Sequence, residues 1–244
     1  MKPKSQLSMA PVQRTELTKF LSGGRMNSYL AAVPTTSIVS FDEFDLYVYN
    51  MALAGAYLGP IHLLEVVTRN AMHTQMAIHA GQSDWWNSSR ISLLKWQLSG
   101  IDAAKTKLAK ERSGPSSVPF TADDVVAALD FGFWCGLLGR GISRDARFDY
   151  DRFLWQPALR HAFPGNRANR DDLYSKMDAA RRLRNRVGHH EPIHGRDQEK
   201  EYQKIFRLLS YVSPPIAQWM DDRSRLLSEV AAFKPGNVDA IAHF

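Results

Sequence analysis

Residues 171–188 read DDLYSKMDAARRLRNRVG, and this stretch decides the fold class. Its two leading acidic residues suit the positive end of a helix dipole. Its apolar residues recur at helical spacing and therefore share one face, expected to point into a core: Leu173, Met177, Ala180 and Val187. Gly188 then offers a typical C-cap. The stretch therefore predicts one amphipathic helix that ends near Gly188.

The rest of the chain also reads as helix. It has no sustained alternation of polar and apolar residues and no Gly-rich phosphate loop. The expected helices are one from the Ser40–Glu43 capping box to a break at Gly59-Pro60, a hairpin partner over 60–80, and others over 101–112, 123–138 (capped by Thr121), 200–209 and 215–233. We therefore predict an all-α fold, a helical bundle with additional helices.

Length and composition limit the class of protein. A chain of 244 residues can bury one sizeable core, and its single cysteine, Cys135, excludes an internal disulfide framework. We find no signal peptide and no run of the roughly 18 apolar residues that a membrane helix needs. We expect a soluble, cytoplasmic protein with an N-terminal arm and short helices at 1–40, a single domain at 41–233 and a tail at 234–244.

The net charge of +6 is concentrated in one region. Between Arg140 and Arg186 there are twelve Lys or Arg and six Asp or Glu, with aromatic residues interleaved among the arginines. Such a mixture suits phosphates and unstacked bases. A solvated basic face over core aromatics is the plainer interpretation.

Residues 184–194, RNRVGHHEPIH, contain two incompatible motifs. Read from His190 to His194 the string is H-E-x-x-H, which binds zinc when both histidines lie on one helix and Glu191 activates water. Pro192 interrupts that helix, because an interior proline costs about 3 kcal/mol and disfavours helical backbone at the residue before it. We therefore predict no metal, and a turn that carries His189, His190 and Glu191.

Read from Arg184, the same string suits phosphodiester chemistry. It supplies a cation for a phosphate and, five residues later, the imidazole of His189 for a proton. Arg184 falls on the apolar face of its helix, where a structural ion pair is the alternative interpretation. Positions five apart on a helix diverge by about 140°. Arg184 and His189 therefore meet only if the chain bends at Gly188 or if two protomers share the site.

A second polar row lies on the helix predicted over 60–80. Its members are spaced three or four residues apart: His62, Glu65, Arg69 and His73. Glu65 and Arg69 have the favourable orientation for an ordinary surface ion pair. In so apolar a helix, the row could equally line a polar cleft.

Four blocks of sequence together resemble the Abi-like abortive-infection proteins of the HEPN superfamily. In order along the chain they are Leu64–Ala71 (LEVVTRNA), Phe131–Trp134 (FGFW), Leu154–Pro157 (LWQP) and Leu183–Ile193 (LRNRVGHHEPI). The last block is the most specific. The resemblance implies a HEPN-like helical bundle, a homodimer, and a metal-independent endoribonuclease without cofactor that acts as a toxin in antiviral defence.

Carried onto this chain, the resemblance makes Arg184 and His189 the catalytic pair and Asn185 the polar residue after the arginine, while His190 also satisfies the spacing. It gives supporting roles to Glu65, Arg69 and Asn70. We add Glu191 as a further supporting residue and, for their positive charge, the neighbouring Arg181, Arg182 and Arg186 as RNA-binding residues. The expected partners are RNA, a second copy of the chain, and an antitoxin or guide RNA. Some relatives do not cleave, so a non-catalytic RNA- or nucleotide-binding module, or an antitoxin-like partner, is the alternative.

Overall fold

The computed structural model describes residues 10–33, 42–113, 118–142 and 144–233. Within these ranges it has ten α-helices and no β-strand, which confirms the predicted all-α fold. The helices are α1 (Pro11–Leu21), α2 (Gly23–Leu30), α3 (Glu43–Ala80), α4 (Lys95–Glu111), α5 (Ala122–Ala128), α6 (Phe131–Leu137), α7 (Arg170–Gly188), α8 (Gln198–Val212), α9 (Pro214–Asp221) and α10 (Leu226–Ala232).

The described residues group into two compact units. The first unit comprises those up to Pro60, those within Arg184–Gln203 and those from Arg223 onward. The second unit comprises those within Ile61–Leu183 and Lys204–Asp222. The division runs through α3, α7 and α8, so each of these helices contributes residues to both units.

The predicted break at Gly59-Pro60 is wrong, because α3 continues through Pro60 without interruption. A proline inside a helix costs about 3 kcal/mol. Burial of apolar side chains along α3 offsets this penalty, and five of them are wholly buried: Leu53, Tyr57, Leu64, Met72 and Met76. The hairpin expected on either side of Pro60 is therefore a single long helix.

The start of α3 also differs from the predicted capping box. Ser40 and Phe41 lie outside the described residues. The carboxylate of Asp42 accepts the backbone N–H groups of Phe44 and Asp45, at 2.8 and 3.0 Å, and the Asp45 carboxylate accepts the N–H of Asp42 at 2.9 Å. This reciprocal pair satisfies the free donors of the first turn, so Asp42 is the N-cap.

The stretch Glu43–Asn87 is long and apolar enough to cross a membrane by length and composition. The expectation that no part of the chain reaches this length is therefore wrong. Within the protein, 44% of its most apolar window is buried. The five wholly buried side chains of α3 already have protein neighbours and need no lipid. The core helix of a soluble protein passes the same test of length and composition.

The helix predicted over 123–138 divides into α5 and α6. Thr121 caps α5 as expected, since its hydroxyl accepts the N–H of Asp124. Asp130 then caps α6 through a 2.7 Å bond from the N–H of Phe133. An Asp that accepts a nearby N–H competes with continuous helix, and the chain therefore restarts at Phe131. The segment predicted over 215–233 likewise divides, into α9 and α10.

The helix predicted from Asp171 to near Gly188 is confirmed as α7, and its apolar face is buried. In the second unit, a buried arginine secures its first turn. Arg170 donates to the carbonyl of Leu138 at 2.8 Å and pairs with Asp151 and Asp171 at 3.3 and 2.6 Å. Arg140 also pairs with Asp171, so part of the basic region has a structural role.

Candidate functional site

The candidate motif, residues 184–194, begins in the last turns of α7. The backbone N–H of His189 donates to the carbonyl of Asn185 at 2.8 Å, so helical bonding continues past Gly188. The N–H of His190 then donates to Val187 at 3.2 Å, and that of Glu191 to Arg186 at 2.9 Å. These two bonds form a Schellman motif, the common way of closing a helix C-terminus.

The left-handed residue of this motif is His190, with φ of 57°, and not a glycine. Gly188 was the predicted C-cap, but it is still helical. A left-handed conformation costs an ordinary L-residue about 1 kcal/mol. The helix therefore ends at Gly188 as predicted, but the residue that closes it is His190, whose side chain the left-handed backbone conformation does not favour. The turn that carries His190 and Glu191 is confirmed.

The left-handed turn at His190 keeps His190 and His194, the two histidines of the H-E-x-x-H string, off a common helix. His190 occupies the left-handed turn, and no helix includes the residues from His190 to His194. The helical spacing on which that zinc motif depends is thus missing. Among the described residues, no group of three or more His, Cys, Asp or Glu side chains is arranged to hold a metal ion.

The loop after α7 is fixed by side chains of the first unit. The Asn50 side-chain oxygen accepts the backbone N–H groups of Ile193 and His194, at 2.7 and 3.1 Å. The Gln198 amide donates to the carbonyl of Ile193 at 2.7 Å, and its oxygen accepts the Tyr57 hydroxyl at 2.9 Å. Because Asn50, Gln198 and Ile193 are buried, these bonds hold the loop in one conformation.

The imidazoles of His189 and His190 are both exposed, whereas Arg184 and Asn185 are half-buried on the last turns of α7. Helical bonding through Gly188 means that the chain does not bend there, as one of the two predicted geometries required. Within one chain, Arg184 and His189 therefore leave the helix in directions about 140° apart.

Two of the three cations assigned to RNA binding share one carboxylate. Arg181 bonds Asp178 through two nitrogens, at 2.8 and 2.7 Å, and Arg182 bonds the other oxygen of the same group. This hydrogen bonding raises the pKa of Arg181. Asp178 therefore offsets part of the positive charge on this face of α7.

Arg186, the third cation, contacts the loop that follows its own helix. Its guanidinium donates to the carbonyl of Pro192 at 3.2 Å and lies 3.5 Å from the carboxylate of Glu191. Both side chains are about half-exposed, so the ion pair contributes little to stability. Arg186 and Glu191 thus brace the turn around His190.

The second polar row, formed by His62, Glu65, Arg69 and His73 on α3, belongs to the second unit. The guanidinium of Arg69 donates to the Asn70 side chain at 3.2 Å and to the carbonyl of Ala127, on α5, at 3.4 Å. Glu65 is half-buried on the same helix. Arg69 thus contacts the C-terminal end of α5, so it has a structural contact besides the surface pairing that its spacing predicted.

His73, in the same row, links α3 to two neighbours. Its Nδ1 accepts the indole N–H of the buried Trp85 at 3.1 Å, and its Nε2 lies 3.3 Å from the Asp123 carboxylate on α5. Burial lowers the pKa of His73, although Asp123 opposes the shift. The neutral imidazole, with its proton on Nε2, satisfies both partners.

Sequence reasoning missed Arg25, Asn50 and Gln198, which contact the loop of the motif. Arg25 donates to the carbonyl of His190 at 2.8 Å. Arg25 and Asn50 are 165 and 141 residues from the loop positions that they contact, so no local spacing connects them with it. Only Asn50 gave a signal, as an amide in the apolar part of α3 before Pro60, since a buried amide needs partners.

No protein-family model, curated protein or solved structure with which the chain was compared gave a significant match.

Proposed function

We propose that the chain is a metal-independent endoribonuclease of the HEPN type, which cleaves single-stranded RNA in the cytoplasm as part of abortive-infection defence. One observation carries the proposal: the exposed imidazoles of His189 and His190 follow directly on the helical turn that bears Arg184. The loop that presents them is fixed by buried bonds to Asn50 and Gln198. A rigid frame under exposed polar groups is what a catalytic site needs.

The proposed chemistry is attack of a ribose 2′-hydroxyl on the neighbouring phosphate. The oxygen–phosphorus bond forms as the bond to the 5′-oxygen breaks, which gives a 2′,3′-cyclic phosphate and a 5′-hydroxyl end. His189 transfers the proton, either from the 2′-hydroxyl or to the leaving 5′-oxygen, because imidazole exchanges protons near neutral pH. Arg184 stabilises the charge that develops on the phosphoryl oxygens through paired N–H donors.

The geometry favours a site that two protomers share. Arg184 and His189 point about 140° apart in one chain, and the bend at Gly188 that would bring them together is absent. A two-fold dimer places the same motif of each protomer at a common axis and so supplies both groups. Homodimerisation is therefore part of the proposed mechanism, and an antitoxin or guide RNA would be a further partner.

The supporting roles of Glu65, Arg69 and Asn70 come from the family resemblance. Those of Arg181, Arg182 and Arg186 follow from their charge, which carboxylates partly offset. We assign the three arginines to contacts with the RNA backbone, which depend on charge and not on base identity. Glu65→Ala is expected to reduce cleavage at least tenfold, or about 1.4 kcal/mol of transition-state free energy.

The test is cleavage of RNA by the purified protein, with analysis of the ends produced. Arg184→Ala and His189→Ala should each abolish cleavage and leave thermal unfolding nearly unchanged. The matched controls are His62→Ala and Lys107→Ala, which remove an exposed imidazole and an exposed cation elsewhere. Cyclic phosphate ends are expected. A protein that retards RNA but never cuts it, even at equimolar enzyme, would instead be the non-catalytic binding module.

A further inference from the structure

Helix α2 carries a cation, Arg25, that contacts the loop between α7 and α8, residues 189–197, which we call the motif loop. The Arg25 guanidinium donates from one terminal nitrogen to the backbone carbonyl of His190, at 2.8 Å. His190 is the left-handed residue that closes α7, and its side chain and that of His189 are exposed. Arg25 is therefore hydrogen-bonded to the backbone of the turn that carries the exposed imidazoles.

Arg25 differs from other arginines of the first unit in its ion pairing. Four of these pair with a carboxylate: Arg14, Arg186, Arg196 and Arg225. Arg25 pairs with no carboxylate of the described residues, and its bond to His190 uses one of its five N–H groups. Within the part of the chain that the structure describes, its positive charge therefore has no carboxylate partner, and this suits it to bind an anion.

The packing of α2 fixes the position of this guanidinium. Tyr29, one helical turn beyond Arg25, is wholly buried, and its ring lies 5.2 Å from the rings of both His194 and Tyr47. Burial raises the pKa of Tyr29, and the nearby charge of Arg25 opposes that shift. Arg25 therefore projects from a helix that is anchored on the motif loop itself.

We propose that Arg25 is an RNA-binding residue of the site, which holds a phosphate group of the RNA chain next to the one that is cleaved. The inference rests on the proposed function and adds a residue from outside the motif. Arginine suits this task, because its planar donors match the oxygens of a phosphate. The bond to the backbone carbonyl of His190 holds the guanidinium in place before RNA arrives, so less side-chain entropy is lost on binding.

A phosphate-binding Arg25 and an Arg25 that only supports the loop can be distinguished by experiment. A phosphate contact acts on substrate affinity and on its dependence on salt, whereas support of the His190 peptide acts on stability and turnover. Arg25→Gln removes the charge, and Arg25→Lys keeps it. We expect Arg25→Gln to raise KM about tenfold with little change in kcat, and to lessen the slope of log affinity against log salt by about 0.7, the value of one single-strand phosphate.

Arg25→Lys should retain most of the wild-type affinity and salt slope. Lys19→Gln is the matched control, because it removes an exposed cation from the neighbouring helix α1 and should change neither quantity. If Arg25→Gln has the KM and salt slope of Lys19→Gln, the proposal is wrong. A loss of thermal stability and kcat with an unchanged salt slope would also overturn it, and would make Arg25 a positioning residue.

Binding measurements separate this inference from the proposed nuclease activity. A fluorescently labelled single-stranded RNA of mixed sequence is titrated with His189→Ala protein, with and without Arg25→Gln, at several salt concentrations. Weaker and less salt-dependent binding of the double variant supports the role of Arg25 even if wild-type protein cuts no RNA. Equal binding by the two proteins, or no RNA binding by the His189→Ala protein, overturns it.

Discussion

The side-chain oxygen of Asn50 accepts the backbone N–H of Ile193 at 2.7 Å, across 143 positions of sequence. It also accepts the N–H of His194, so a single buried amide satisfies two donors of the loop that follows the motif. Neither donor belongs to a helix, and Asn50 is 3% exposed. The conformation of the loop therefore depends on a residue of α3.

Asn50→Ala should consequently destabilise the protein and impair the site together. Removal of the acceptor leaves two N–H groups without this partner, which is expected to lower the free energy of unfolding by about 2 to 4 kcal/mol. Chemical denaturation measures the loss. Asn27→Ala, at an exposed position of α2, is the control and should change stability by less than about 0.5 kcal/mol. Equal stability of the two variants would contradict the structural role of Asn50.

His190 provides a second stability prediction, because it holds a left-handed conformation that glycine adopts freely. His190→Gly should raise the free energy of unfolding by about 1 kcal/mol, whereas His190→Ala should give no such gain. A stability gain of the same size in both variants would count against this account of the turn.

The same two variants test which histidine reacts. With His189 as the catalytic histidine, His190→Gly should keep most of the RNA cleavage activity because the imidazole of His190 takes no part in the reaction. Complete loss of cleavage in both His190→Gly and His190→Ala, with folding intact, would instead assign the proton transfer to His190.

The sequence predicted the elements of this structure better than the contacts between them. The period of Leu173, Met177 and Ala180 was enough to predict α7, because one buried face determines a helix. Pro60 was misread because a local rule about proline ignores the apolar burial on both sides of it. The end of α7 at Gly188 was predicted correctly, but the capping role given to this glycine was wrong, since a Schellman motif needs a left-handed residue but not a glycine.

In the candidate site, too, the local motif was predicted from the sequence but the long-range contacts were not. Arg184, His189 and His190 are recognisable from their spacing, since a local motif has a local signal. Arg25 has no such signal, and the polar character of Asn50 does not identify its partners, because the contacts of both residues with the motif loop form only once α2 and α3 have folded. The geometry that a left-handed His190 imposes on the loop was likewise visible only in three dimensions.

His73 gives the protein a predicted dependence of stability on pH. Burial lowers the pKa of His73 below the ordinary value for histidine, about 6.5, so the unfolded chain binds this proton more readily than the folded one. The free energy of unfolding should therefore fall as pH drops below about 6.5, and should level off below the lower, folded-state pKa. Burial also lowers the pKa of His194, which adds to the fall.

Denaturant unfolding at several pH values, from about 7 to about 5, measures this effect. His73→Asn should reduce the fall, since its side-chain oxygen can still accept the indole N–H of Trp85 but does not titrate. His62→Asn, at an exposed position of the same helix, is the control. A pH profile that is unchanged by His73→Asn would show that the buried imidazole is not the source.

Chelation tests the interpretation of the H-E-x-x-H string. Since His190 to His194 is not helical, RNA cleavage should survive EDTA, and Glu191→Gln should lower it far less than His189→Ala does. Loss of the Glu191 charge removes only a half-exposed ion pair with Arg186, worth at most about 1 kcal/mol. Complete inactivation by chelator, with activity restored by zinc, would contradict the metal-independent mechanism.

The shared site predicts that two inactive variants restore activity when they assemble together. Suppose that each site takes Arg184 from one protomer and His189 from its partner. A heterodimer of Arg184→Ala with His189→Ala then has one site with both substitutions and one with neither. Random assembly at equal amounts makes half of the dimers mixed, so co-expression should restore roughly a quarter of the wild-type cleavage.

The control is co-expression of each single variant with the Arg184→Ala/His189→Ala double variant, which leaves every site without one of the two groups and should restore nothing. If each protomer works alone, every chain in the first mixture also lacks half of its own pair, and no activity returns. A protein that is monomeric by size-exclusion chromatography and still cuts RNA at the full rate would refute the shared site. The helix that runs unbent through Gly188 would then have to open for Arg184 and His189 to meet.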